Sequence, residues 1–403
     1  MTEQSTDRPT EPSTPSTPST ASTPTAAPGR WSTIDVAVNL LWCVPGQVGG
    51  SEQYLVRQLH GLASQSSPFV PTLYCLPSFV DAHGDLGSIY PMHAAAISGT
   101  SRPRRVLAEH SWLRRRTRDA DVVHHGGGTT PAVGRRPIVL TIHDLQYLTH
   151  PEYLTPTKRR YLERVIPRSV RRATVVAVPT EYVRTTVIDA HGIDADRVVV
   201  VPHGVESSLG ASAPSAFDLR RDYGLGSGTV LVYPAITHPH KNHRFLLQLM
   251  ARHWTDPDLR LVLLGGRGAA EADVQADIDR LGLTQRVVRP GRVPDADRDG
   301  LLAAADALVF PSEYEGFGAP AVEAMALGAP VICSDQPALA EVVGDAGLVL
   351  PLELDAWADA LDVVAARSDA MRSAGRRRAR AFTSERSGAA LAAAYDLAFR
   401  IGR

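Results

Sequence analysis

Two glutamates with seven residues between them stand in one uninterrupted string. It runs Pro311-Ser312-Glu313-Tyr314-Glu315-Gly316-Phe317-Gly318-Ala319-Pro320-Ala321-Val322-Glu323-Ala324-Met325-Ala326-Leu327-Gly328. Pro320 suits the first turn of a helix, where its missing N–H costs nothing. Gly328 suits a left-handed helix stop. Glu315 therefore falls on a glycine-punctuated loop and Glu323 in the first turn. The backbone N–H groups of Phe317, Gly318 and Ala319 lie just ahead of the helix. That end carries a partial positive charge and free donors, a place for a phosphate or a sugar oxygen. The two carboxylates can accept hydroxyl protons from either side of it. A helix with favourable N-terminal acids would account for Glu323 by itself; the length of the whole string argues for a site.

Three further segments carry candidate chemistry. His238-Pro239-His240-Lys241-Asn242-His243 follows an apolar run at 230–233. A lysine at a strand end can neutralise a diphosphate; a solvated lysine on a polar loop is the plainer reading. Gly46-Gln47-Val48-Gly49-Gly50-Ser51-Glu52 joins the first strand to the first helix. Paired glycines let a backbone approach a ligand or simply make a tight turn, and the spacing is not that of a dinucleotide loop. His143 ends the apolar run 138–142 and is followed by Asp144. A strand end is where α/β sites lie, but a single histidine also serves as a structural residue. His124 and His125 are adjacent, so they point to opposite sides and make a poor metal pair. With no other ligand set at metal spacing, no bound metal is expected.

These residues need elements to hold them. Short Val- and Ile-rich runs recur at 34–38, 71–76, 121–124, 138–142, 174–179 and 198–201, with helical stretches between several of them. The helix at 51–63 buries Leu55, Leu59 and Leu62 on one stripe. The pattern restarts with runs at 230–233, 259–264, 287–288, 307–310, 331–333 and 348–350, alternating with helices at 243–252, 271–281, 298–304, 320–327 and 337–343. Alternation of this kind predicts parallel sheets covered on both faces. The chain reads as two doubly wound α/β domains in series, joined near 202–204, and the cleft between them is the default site. A last helix at 387–399 follows.

Composition bounds the rest. The 403 residues suit two domains. A net charge of −1 excludes nucleic-acid binding by bulk positive charge. Residues 29–205 hold 20 Lys/Arg against 14 Asp/Glu, while residues 206–403 hold 21 against 26. The excess in the first half gathers at 102–118 and 158–172, as solvated helix faces or as a surface for anionic lipid. No apolar run reaches about 18 residues, so no membrane-spanning helix is expected. Cys43, Cys75 and Cys333 form no disulfide or zinc pattern, which points to a reducing cytoplasm. Residues 1–28, rich in Thr, Ser and Pro, lack a signal-peptide core and are expected to be disordered.

The pattern EGFGxPxxEAMAxGxPVI, residues 315–332, resembles the E-x7-E signature of the retaining glycosyltransferases of family 4, the bacterial glycosyl transferases group 1. The resemblance extends over nearly all of the chain from about residue 33. It implies the GT-B fold, two Rossmann-like doubly wound parallel-sheet domains facing a central cleft. It implies that Glu315 meets the hydroxyls of the donor sugar and that Glu323 binds the nucleotide ribose. Phe317, Gly318 and Ala319 would hold sugar and phosphate oxygens through their amides. Lys241 would sit on the donor pyrophosphate, and Gly49 and Gly50 would face the phosphates from the first domain. His143 would lie near the reacting sugar in an orienting role. The family often places an Arg about six positions before the Lys; here Ala235 and Ile236 stand there, so Arg267 or His240 must compensate. The last helix would cross back to the first domain.

The reading is then a retaining, metal-independent hexosyltransferase. It has no resident cofactor and uses a nucleotide-sugar co-substrate, with a saccharide, lipid-linked or small-molecule acceptor. The catalytic set is His143, Glu315 and Lys241. The donor set is Gly49, Gly50, Lys241, Arg267, Glu315, Phe317, Gly318, Ala319 and Glu323. The domains expected are a disordered tail at 1–28, an acceptor domain at 29–205, a nucleotide-sugar domain at 206–385 and a crossing helix at 386–403. The expected location is the cytoplasm, with peripheral contact at the inner membrane face left open and no nucleic-acid partner. The rivals are a sugar-nucleotide epimerase or hydrolase on the same fold, and a non-catalytic sugar-binding protein.

Overall fold

The computed structural model describes residues 1–2, 33–134 and 137–403. The tail expected to be disordered falls, from residue 3 onward, outside the described residues, as does Trp31. Two parallel sheets organise the remainder. The first has the order β3-β2-β1-β4-β5-β6-β7 and the second β10-β9-β8-β11-β12-β13. In the first, β1 is Ile34–Asn39, β2 Phe69–Cys75, β3 Met92–Ala94, β4 Val122–His125, β5 Ile138–Thr141, β6 Val175–Val178 and β7 Val198–Val200. In the second, β8 is Val230–Pro234, β9 Arg260–Leu264, β10 Val287–Gly291, β11 Ala307–Phe310, β12 Val331–Ser334 and β13 Leu348–Leu350. The architecture is GT-B.

The central strands are buried on both faces, which is why they read as continuous apolar runs rather than alternating ones. β4, β5, β6, β11 and β12 are buried along their whole length. β3 escapes the sequence pattern because it is three half-exposed residues at the sheet edge. The segment from 77 to 116 also escapes it. There the chain forms short helical turns, including a π-helical one over Glu109–Leu113, with few buried apolar residues to set a period.

Strand order reverses between β1 and β4 in the first sheet and between β8 and β11 in the second. Open α/β sheets bind ligands in the crevice beyond the carboxyl ends of the strands at such a reversal. The loop 46–50 follows β1, Gly126–Gly128 follow β4, Lys241 lies beyond β8, and Glu313–Gly318 follow β11. Topology thus delivers the candidate loops to the two reversals.

β4 ends on two buried histidines. His124 bonds to the Tyr395 hydroxyl (2.9 Å) and to Thr141 Oγ1 (2.8 Å), while His125 Nδ1 faces Asn39 Nδ2 at 3.1 Å. Burial pushes both imidazoles down to about 3 from the ordinary 6.5. The unfolded chain therefore binds more protons between those limits, and stability falls as pH falls through that window. Each histidine accounts for up to about 1.4 kcal/mol per pH unit. Urea midpoints should drop steadily from pH 7 to pH 5. A midpoint constant over that range would contradict the buried neutral state.

Candidate active site

The two loops at the strand reversal of the second sheet meet in an ion pair. Lys241 Nζ lies 2.5 Å from Glu315 Oε1, joining the loop beyond β8 to the loop after β11. Both side chains are mostly buried. The backbone under each is tied down. The Tyr233 hydroxyl donates to the Lys241 carbonyl at 2.7 Å, and Gln336 Nε2 donates to the Glu315 carbonyl at 3.1 Å. Gln336 also caps the helix Pro337–Val343 through Oε1, so the Glu315 loop is tied both to the Lys241 loop and to the start of that helix.

The loop then runs under the first domain. Thr180 Oγ1 donates to the Gly316 carbonyl at 3.0 Å. A Cβ on Gly316 would overlap the His143 carbonyl, so only glycine lets the two backbones approach. Phe317 is buried, and its ring stacks on His203, centroids 4.5 Å apart. His203 stacks in turn on Tyr54 at 4.2 Å. Ala319 opens the helix Ala319–Leu327, which starts from Gly318 and stops at Gly328.

Glu323 lies on the buried side of that helix, 8% exposed. It pairs with Arg57 of the first-domain helix Gly50–Ala63, Nη1 to Oε1 at 2.6 Å. Burial would raise its pKa, yet Arg57 and Arg298 outweigh that and hold the carboxyl below the usual range. It is an ionised acceptor.

His143 stands where β5 ends. Its Nε2 bonds to the Gly126 carbonyl at 2.9 Å, and its ring meets Trp42 and Tyr54 at 5.9 and 5.3 Å. Burial lowers its pKa, so the ring is neutral, and Nδ1 is buried without a described partner. Gly49 and Gly50 are exposed at the start of the Gly50–Ala63 helix, with open space where side chains would be.

The structure thus brings Lys241, Glu315, Gly316, Phe317 and His143 together, with Glu323 one helix turn further on. Arg267 stands apart from the Lys241–Glu315 pair. Its side chain is 88% exposed and lies 3.7 Å from Glu271, beside a cavity of about 490 Å³ beyond β8, β9 and β10. His240 is pushed down to about 3 by burial and then by the Lys241 charge, so it supplies no second cation. Arg292, at the end of β10, instead reaches across and donates to the Gly46 carbonyl. The sequence reading missed Arg57, Arg292, Tyr54 and His203. Arg57 and Tyr54 sit on a helix whose stripe of leucines had already been assigned to the core. Only the second domain reveals that its other face is covered too.

Comparison with known proteins follows the same division of the chain. Residues 48–209 match the family described as Glycosyltransferase Family 4, and residues 218–380 match Glycosyl transferases group 1. The chain is 35% identical over 241 residues to O-antigen chain mannosyltransferase B of Escherichia coli, covering 59% of this chain and 63% of that protein. It is 28% identical over 250 residues to O-antigen chain mannosyltransferase RfbU of Salmonella typhimurium, covering 62% and 65%. It therefore spans somewhat less than two thirds of these curated relatives. Among solved structures, Anabaena HepE in complex with UDP and glucose superposes with a TM-score of 0.72 at 20% identity, covering 90% of this chain and 99% of that one. WaaG, a glycosyltransferase involved in lipopolysaccharide biosynthesis, gives 0.66 at 18% identity, covering 88% and 98%. At such identities the likeness is one of fold.

Proposed function

The chain belongs to the group 1 and family 4 glycosyltransferases, and from that premise we propose that it moves a hexose-type sugar from a nucleotide-sugar donor to an acceptor hydroxyl, retaining the anomeric configuration. The observation that carries this reading is the Lys241–Glu315 pair at the strand reversal of the second domain, with Glu323 one helix turn beyond. A lysine beside a carboxylate suits a ligand with a diphosphate at one end and sugar hydroxyls at the other. The amides of Phe317, Gly318 and Ala319 and the Gly49–Gly50 loop supply uncharged donors on either side. HepE, of the same fold, has been solved with UDP-glucose, which supports a nucleotide sugar. The relatives named for O-antigen mannosyl transfer support a saccharide acceptor.

In this reading the second domain binds the donor and the first receives the acceptor. Rate comes from proximity and from stabilising the leaving diphosphate. Lys241 provides the charge, and no metal is required. His143, neutral and anchored to Gly126, orients the reacting sugar rather than removing a proton. Among the described residues no helix is long and apolar enough to cross a membrane. The basic segments at 102–118 and 158–172 fit a cytoplasmic enzyme that meets the inner membrane face when its acceptor is lipid-linked.

A melting-temperature panel of UDP, GDP, ADP and TDP should show a rise with at least one of them. Nucleotide release from the matching donor should require an acceptor, and EDTA should leave it intact. Release at the same rate without acceptor would favour a hydrolase. Loss in EDTA restored by Mg²⁺ or Mn²⁺ would overturn the metal-free mechanism.

A further inference from the structure

Resting on the reading of Glu323 as the carboxylate that takes the donor's ribose hydroxyls, we propose that Arg57 is the positioning residue for that carboxylate, reaching it from the opposite domain and completing the ribose subsite only while the domains are together. Arg57 is 4% exposed on the helix Gly50–Ala63. Among the described residues, its ionic partners lie outside the first sheet's strands and helices. Nη1 meets Glu323 Oε1 at 2.6 Å, and Nε meets Glu206 Oε2 at 2.6 Å, on the segment that leads into the second domain.

The geometry is that of a clamp. Arg57 occupies one oxygen of Glu323, and no described residue hydrogen-bonds to the other, which remains available to a hydroxyl. A planar guanidinium shared between two carboxylates has little rotational freedom, so it fixes the carboxylate plane as well as its charge. Desolvating an arginine and a glutamate is costly, and apolar packing would hold two domains together as well or better. An ion pair retained at this point fits a carboxylate that must stay ionised while buried.

The clamp also links two subsites. Arg57 is seven residues beyond Gly50, about 10 Å along a rigid helix. The loop that faces the donor phosphates and the residue that holds Glu323 therefore move as one body. Closing the first domain onto the diphosphate sets the ribose carboxylate in the same motion. The charged groups facing Glu323 are Arg57 from the first domain and Arg298 from the helix Asp295–Ala304; His203 and Glu206 face Arg57 itself.

The test uses the full chain and the nucleoside diphosphate, among UDP, GDP, ADP and TDP, that raises the melting temperature most. Affinity and donor KM are measured for Arg57→Met, Arg57→Lys, Glu323→Gln and the double variant. Arg57→Met should weaken the diphosphate about tenfold and raise donor KM by a similar factor, the loss expected when a charged hydrogen bond is misplaced. Its kcat should change less than KM, and Arg57→Lys should recover part of the affinity. Affinity of Arg57→Met should rise between pH 6 and 8, because Glu323 without its arginine keeps a proton to higher pH, while the unsubstituted protein stays flat. In the Glu323→Gln background, Arg57→Met should add no further loss.

The same loss in both backgrounds, or a lower melting temperature with unchanged affinity, would show that Arg57 is only an interdomain brace. Should Arg57→Met not fold, Arg57→Lys decides: about threefold weaker binding at an unchanged melting temperature supports the clamp, and full affinity refutes it. If Glu323→Gln binds the diphosphate normally, the ribose reading falls and the clamp with it. If Glu323→Gln weakens binding and neither Arg57 variant does, the clamp alone is wrong.

Discussion

Lys241→Ala should lower turnover by about 10²–10³-fold, the range seen when one preorganised electrostatic contact to a developing charge is removed. In the proposed reaction the leaving nucleoside diphosphate gains charge as the glycosidic bond breaks, and Lys241 is the cation assigned to it. Its nearest charged partner is Glu315, at 2.5 Å. The two possible substitutes are weak. Arg267 points into solvent beside Glu271, and His240 is neutral at any working pH. Removing the lysine also leaves Glu315 without its counter-charge in a mostly buried position, where its negative charge would repel a diphosphate. Affinity for the nucleoside should change far less, because the proposed ribose contact, Glu323, lies on another element. Lys241→Arg should retain part of the rate, since a guanidinium keeps the charge with a different reach. Steady-state kinetics of the three proteins with one donor and one acceptor decide the matter. Turnover of Lys241→Ala within threefold of the parent would remove this residue from the reaction.

Much of this site was legible because it is local in the chain. The string from Pro311 to Gly328 carries its loop, both carboxylates, its helix start and its helix stop within one strand–loop–helix unit. Each of those features has its own residue signature. The central strands were legible for a related reason: burial on both faces leaves few polar positions to break the apolar run. What stayed hidden lies across the cleft. Arg57 has ordinary helix chemistry, and its partners at 206 and 323 are far along the chain; no spacing rule links them. Arg292 likewise meets the Gly46 carbonyl only after both domains have folded. The stack of Tyr54, His203 and Phe317 takes one ring from the first helix, one from the connecting segment and one from the motif loop. The sequence reading offers Arg267 or His240 as the second phosphate cation, whereas the structure sets Arg292 of the second domain against the glycine loop of the first. Contacts that depend on how two finished domains meet leave no periodic trace in either one.

Deleting residues 386–403 should prevent the first domain from folding stably. The helix Ser384–Ile401 lies after the last strand of the second sheet, yet its buried face belongs to the first core. Leu391, Ala394, Tyr395 and Ala398 are almost fully buried there with Val36, Val38, Leu59 and Val123. Its backbone touches that of the Gly50–Ala63 helix, because a Cβ on Gly388 would collide with the backbone of Gly61. The Tyr395 hydroxyl meets His124 Nδ1, so removing it leaves a buried polar ring without one partner. Tyr395→Ala by itself should cost about 3–5 kcal/mol, as for other large aromatic truncations in a core. That is a large share of the roughly 5–15 kcal/mol that keeps a protein folded. It corresponds to a fall of about 10 °C in melting temperature for a domain of this size. Losing all four side chains together exceeds what such a domain can absorb. The deleted protein should be recovered mainly as aggregate, and any soluble fraction should lack a cooperative transition and transfer activity. At the crossing point the Val205 N–H donates to the Phe382 carbonyl and the Ser384 N–H donates to the Val205 carbonyl, which ties the start of this helix to the connecting segment. A protein lacking residues 386–403 that melts like the full chain and still transfers sugar would show the helix to be an appendage.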